Sequence, residues 1–106
     1  MASGRLGNGT ITAQLWTQCY DVPAGKIASF SIFLVNRGGD TAYISIAIST
    51  SGVIPAEGEY IENNLVIGDG VVYERTGLVA SADEYVLIYA TRSGINYRIQ
   101  GYEETP

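Results

Sequence analysis

The sequence predicts an all-β domain, an antiparallel two-sheet β-sandwich of jelly-roll or immunoglobulin-like type with seven to eight strands. Three observations predict it. From Thr10 onward β-rich runs alternate with turn signals, the apolar residues inside those runs repeat with period two, and no stretch carries the 3.6-residue repeat of a helix that could cover a parallel sheet. A small closed barrel is the alternative arrangement of the same strands.

Residues 1 to 9 hold three glycines and no periodic apolar pattern, which predicts a flexible or partner-docked N-terminal arm ahead of a single domain over 10 to 106. Strands are then expected near 10 to 14, 16 to 22, 26 to 36, 41 to 50, 60 to 67, 71 to 79, 84 to 91 and 95 to 102. Phe30, Ile32 and Leu34 share one face of the third run, Ala42, Ile44, Ile46 and Ile48 one face of the fourth, and Ile95, Tyr97 and Ile99 one face of the last, so these faces form the expected core. Between the runs, Pro23-Ala24-Gly25, Arg37-Gly38-Gly39-Asp40, Gly68-Asp69-Gly70 and Ser93-Gly94 supply fixed or positive φ for turns. The longest loop is expected over Ser51 to Gly58, which contains Gly52, Pro55 and Gly58.

The chain has 106 residues, enough for one ordinary core. It is 46% hydrophobic but only 16% charged, against roughly 25% in typical globular proteins, so charge alone does not cover its surface. Part of that surface is expected to meet another protein, although strands buried on both faces would give the same composition. Eleven acidic and six basic residues give a net charge of −5, which argues against nucleic acid and against an anionic membrane as partners. Cys19 is the single cysteine and histidine is absent, so neither an intrachain disulfide nor a zinc site of the usual kind is expected. No stretch has the apolar character of a secretion signal or of a membrane span.

Candidate chemistry is thin. Nucleophilic catalysis lacks its commonest base, and Lys26, the only lysine, follows a Pro-Ala-Gly turn and reads as a solvated residue opening a strand. Glu57, Glu59, Glu62, Glu74, Asp83 and Glu84 offer carboxylate pairs, but a glycosidase also needs a deep cleft, and no Asp-rich loop with calcium-ligand spacing is present. No enzyme activity, cofactor or metal is therefore expected. Eight tyrosines and Trp16 could stack on sugars as carbohydrate-binding modules do, and equally could line core edges and subunit contacts. The second face of the third run, Ile27, Ser29, Ser31, Phe33 and Val35, turns apolar toward one end. Phe33 and Val35 are accordingly candidate interface residues, together with Tyr43 and with Leu6 of the arm.

Five pieces then carry a resemblance in their order along the chain: Tyr20-Asp21-Val22-Pro23-Ala24-Gly25-Lys26, Asn36-Arg37-Gly38 after an apolar strand, Ala42-Tyr43-Ile44-Ser45-Ile46-Ala47-Ile48, Glu59-Tyr60-Ile61-Glu62, and Tyr73-Glu74-Arg75-Thr76-Gly77. They lie within residues 20 to 102, from Tyr20 to Gly77, and resemble small virion structural proteins of tailed bacteriophages. The resemblance implies a non-enzymatic β-sandwich subunit repeated on a virus particle, as a capsid decoration (cement) protein or as a tail or fibre component. It implies binding to the major capsid or another virion protein, with assembly in the host cytoplasm and residence in the virion, while the low charge and the partly apolar second face of the third run predict a homo-oligomer, with a trimer favoured. A carbohydrate-binding β-sandwich module is the alternative from another class.

Overall fold

A computed structural model describes residues 3 to 105. Eight strands run in order: β1 (Ser3–Thr10), β2 (Thr17–Asp21), β3 (Ile27–Asn36), β4 (Ala42–Ser49), β5 (Tyr60–Ile67), β6 (Val72–Ala80), β7 (Tyr85–Ala90) and β8 (Ile95–Glu104), with one 3₁₀ turn at Glu57–Glu59. They form two four-stranded sheets, ordered β1-β8-β3-β6 in the first and β2-β7-β4-β5 in the second, and every pairing is antiparallel. The first half of the chain is laid against the second as a ribbon, β1 on β8, β2 on β7, β3 on β6 and β4 on β5. Rolling that ribbon closes each sheet through β3–β8 and β4–β7. This is the jelly roll of the two sandwich types expected, and not a single closed barrel.

The core lies between the sheets because each strand alternates. Phe30, Ile32 and Leu34 of β3 point inward, as do Ile44 and Ile46 of β4, Val86, Ile88 and Ala90 of β7, and Ile95 and Ile99 of β8. Each fully buried Val, Leu or Ile among these contributes about 1.5 to 3 kcal/mol relative to exposure. Polar groups inside are paired. The Tyr20 hydroxyl donates to the buried Glu103 carboxylate, and burial first, then that neighbouring carboxylate, pushes the Tyr20 hydroxyl pKa up. Where β5 and β6 leave the sandwich open, Tyr73 and Arg75 both donate to Glu62 and bridge the two sheets. Cys19 is buried, and burial pushes its thiol pKa up, so the thiolate is disfavoured.

The N-terminal segment departs from the expected arm. Residues 3 to 10 form β1, an edge strand in register with β8 from Ser3↔Tyr102 to Thr10↔Asn96, while Met1 and Ala2 lie outside the described residues. Close approach explains why the segment has no apolar period. A Cβ on Gly7 would stand 2.6 Å from the Cys19 carbonyl oxygen, and one on Gly9 would stand 3.1 Å from the Tyr97 hydroxyl oxygen. The expected strand over 10 to 14 is absent for a related reason. Ile11 enters the core and Gln14 takes φ 60°, so residues 11 to 16 turn away toward the second sheet.

Candidate functional site

The two outer faces of the sandwich differ in what covers them. On the second sheet, β4 and β7 turn Ser45, Ala47, Ser49 and Leu87 outward, yet all four are buried, Ala47, Ser49 and Leu87 completely. The chain itself folds back over this face. Gly52 sits against Gln18 and the Tyr85 ring, and Pro55 is buried within the same loop. Trp16 packs edge-on to Tyr60, with ring centroids 5.3 Å apart, and tilted against Tyr89 at 5.6 Å.

Glu59 clamps that covering loop. Its carboxylate accepts from the Ser49 hydroxyl at 2.6 Å and from the backbone N–H groups of Ala56 at 2.7 Å and Thr50 at 3.2 Å. The Ser49 hydrogen bond, followed by the two backbone donors, holds the Glu59 carboxyl below the usual carboxylate range. A lowered folded-state pKa makes the clamp fully present above the ordinary carboxylate range and weakens it as pH falls through the lower, folded value. Glu59→Ala is expected to speed amide exchange at Thr50 and Ala56 by about tenfold or more while the β3 amides keep their protection. Acidification of the native protein should act in the same direction, and unchanged exchange at both amides would refute the clamp.

Among the described residues no loop covers the first sheet in this way. Along its central strand β3 inward and outward residues alternate buried and half-buried without a break from Ile27 to Asn36. Ser29, Ser31, Phe33 and Val35 therefore stand on an open face. Their neighbours in register extend it: Phe33 lies between Arg98 of β8 and Glu74 of β6, Val35 between Asn96 and Val72, and Ser29 between Tyr102 and Val79. Val72, Val79 and Tyr102 are 63%, 60% and 45% exposed. Two shallow depressions mark the face, one of about 230 Å³ beside Phe33, Val35 and Val72, the other of about 290 Å³ beside Ser29, Val79 and Tyr102. Open strands with apolar side chains at both ends of the face and polar ones between them have the make-up of a protein contact surface.

The four candidate interface residues do not converge. Phe33 and Val35 stand together on this open face, whereas Tyr43 points outward from the other sheet and Leu6 packs against the core from β1. Val72, Val79 and Tyr102 complete the face and carried only the alternation of their strands as a signal. The carboxylates disperse: Glu59 closes a loop, Glu62 bridges the sheet edges, Glu84 accepts from the Ser81 N–H, and Glu74 lies on the open face. Lys26 donates to the Thr105 hydroxyl at 2.8 Å. Among the described residues no group of three or more His, Cys, Asp or Glu side chains could hold a metal ion, and no helix is long and apolar enough to cross a membrane. Comparison with protein-family models, with curated proteins and with solved structures gave no match to this chain, so a functional reading has its own residues to stand on.

Proposed function

We propose that this chain is a non-enzymatic structural subunit of a tailed-bacteriophage virion, with capsid decoration ahead of a tail or fibre role, and that the outer face of its first sheet makes a protein contact needed to hold it there. The observation that carries the reading is the asymmetry between the faces: the chain covers the centre of one sheet with its own loop, whose Val53 and Ile54 are exposed, and leaves Tyr43 and Val66 exposed at one end, whereas on the other sheet no loop covers the half-buried Phe33 and Val35 or the exposed Val72, Val79 and Tyr102. The virion assignment comes from the resemblance of the five sequence pieces. The jelly roll is compatible with it, since this architecture serves viral capsid and lectin domains alike and does not choose between them.

Attachment through such a face is mainly apolar. Each ~100 Å² of apolar surface buried contributes roughly 2.5 kcal/mol before the costs of association, whereas an exposed ion pair contributes ~0.2 to 1 kcal/mol and is screened by salt. Phe33→Asp is expected to weaken co-sedimentation with particles stripped of the protein by tenfold or more, on the order of 1.4 kcal/mol at least, while wild-type binding persists into molar salt. Binding lost at a few hundred millimolar salt, or unaffected by Phe33→Asp, would refute this account.

One observation favours a second reading. Tyr60 lines a depression of about 340 Å³ with Glu57 and Asn63, next to Trp16, which places rings and polar groups where a sugar could lie. Two features weigh against it: the rings pack edge-on or tilted against one another and do not form a flat platform, and the depression is shallow. Binding to a glycan array that Tyr60→Ala abolishes, with particle attachment absent, would favour this reading over the first.

A further inference from the structure

The open face has a charge balance unlike the rest of the chain. The chain carries −5, so two copies repel at long range. The charged residues that the four strands of the first sheet turn outward are Arg5, Arg98, Glu74 and Glu104, two of each sign. This is a surface on which two copies can meet without opposing net charge. The order of the charges is also specific. Arg98, Phe33 and Glu74 occupy one row across β8, β3 and β6, a cation on one side of the phenyl ring and an anion on the other. Among the described residues neither Arg98 nor Glu74 has an ion-pair partner within the chain; the Arg98 Nε donates to Gln100 on its own strand.

We infer that the occupant of this face is a second copy of the chain, packed sheet on sheet about a two-fold axis that runs along β3. The inference rests on the reading of this face as the contact surface and names its partner as a neighbouring subunit, so that Phe33→Asp weakens particle binding by undoing the pairing through which subunits are held jointly. A two-fold in that direction exchanges the β8 side of the row for the β6 side. Arg98 of each copy then stands over Glu74 of the other, twice by symmetry, while Phe33 meets Phe33 and Val35 meets Val35 at the centre. The strands of the two copies stay aligned, as in ordinary sheet-on-sheet packing. Three overlapping strands, at about 4.8 Å spacing and about 33 Å long, cover on the order of 480 Å² per copy and about 1,000 Å² in total, the lower bound for a specific interface. The dimer is accordingly weak in free solution and gains strength where a particle holds subunits close together. A two-fold pair differs from the trimer that the sequence reading favoured, because trimer contacts join unlike patches, whereas the order of these charges is self-complementary.

Charge reversal tests it on the intact chain. Sedimentation equilibrium from about 10 µM to 1 mM should show wild-type dimers, with Arg98→Glu and Glu74→Arg each weakening association by about tenfold or more, and the double variant Arg98→Glu/Glu74→Arg restoring it. Both positions are exposed, and unchanged thermal melting shows that each variant is folded. A wild-type chain that stays monomeric at 1 mM, a trimer, or single variants that associate as the wild type does would each overturn the inference. Failure here is separable from failure of the attachment reading: a monomeric chain whose particle binding is still lost on Phe33→Asp removes the dimer and keeps the contact face.

Discussion

Asn36→Asp is expected to lower stability by roughly 3 to 5 kcal/mol, a fall in Tm of about 12 to 30 °C for a domain of this size. Asn36 ends β3 and is 1% exposed. Its Nδ2 donates to the Asp40 carbonyl at 2.6 Å and the Ile67 carbonyl at 2.9 Å, and its Oδ1 accepts from the Gly38 N–H at 3.0 Å. The side chain thus ties the 37 to 41 turn to the last residue of β5, which belongs to the opposite sheet. Aspartate has the same shape but cannot donate, so it would set a carboxylate against two carbonyl oxygens in a buried site. The pH dependence distinguishes this from a packing defect. An acid placed there has its pKa raised in the folded state, so its penalty is full at neutral pH and shrinks as pH falls through that raised value. Asn36→Ala loses the same bonds without adding a charge and should show no such recovery in acid. Chemical denaturation at neutral pH and near pH 4 would decide, and a loss under about 1 kcal/mol for Asn36→Asp would overturn the assignment.

Gly101→Ala is the second large effect, expected to remove roughly 3 kcal/mol or more. Gly101 lies in β8 between Gly4 of β1 and Phe30 of β3, and a Cβ built there would stand 2.0 Å from the Ser29 carbonyl oxygen and 2.7 Å from the Phe30 Cα. Both obstacles are backbone, so no side chain can swing aside, and β3 and β8 must separate locally. Gly25 provides the comparison. It has φ 77° with nothing within 4 Å of a Cβ, so Gly25→Ala meets only the left-handed strain of about 1 to 2 kcal/mol. Thermal melting of the two variants should rank them in that order, and Gly101→Ala matching Gly25→Ala would show that the ladder yields more easily than the geometry implies.

Strand alternation was the legible part of this fold. The inward faces of β3 and β4 and Ile95 and Ile99 of β8 stand in the core as the period-two pattern indicates, and Gly25, Gly39, Gly70 and Gly94 take positive φ in the turns. β1 was not legible because Gly7 and Gly9 are dictated by what lies across from them, and a close neighbour leaves no trace in local sequence. The roles of polar residues were hidden for the same reason. Asn36, Glu59, Glu62, Tyr73 and Tyr20 lie in the segments that carry the resemblance; Glu59 closes a loop, and the other four tie one sheet to the other. Those segments therefore record how the sandwich is held together. The open face is written instead in Val72, Val79 and Tyr102, whose exposure follows from sheet order and not from their immediate neighbours. Phe33 and Val35 could be named as contact residues because β3 alternates so regularly that its second face is visible in the sequence alone.

The rolled ribbon also sets the order in which the molecule can be made. Only β4 and β5 pair as consecutive strands; every other ladder joins strands separated by at least two intervening ones, out to Ser3 with Tyr102. Loop closure must precede reward at each of these, which places the fold among the slow, non-local folders. Of the eight strands described, the last in chain order is a central one, since β8 lies between β1 and β3. Until it leaves the ribosome β1 has no partner strand and β3 has β6 alone, so the first sheet, and with it the face that carries Phe33, is completed only once β8 has emerged.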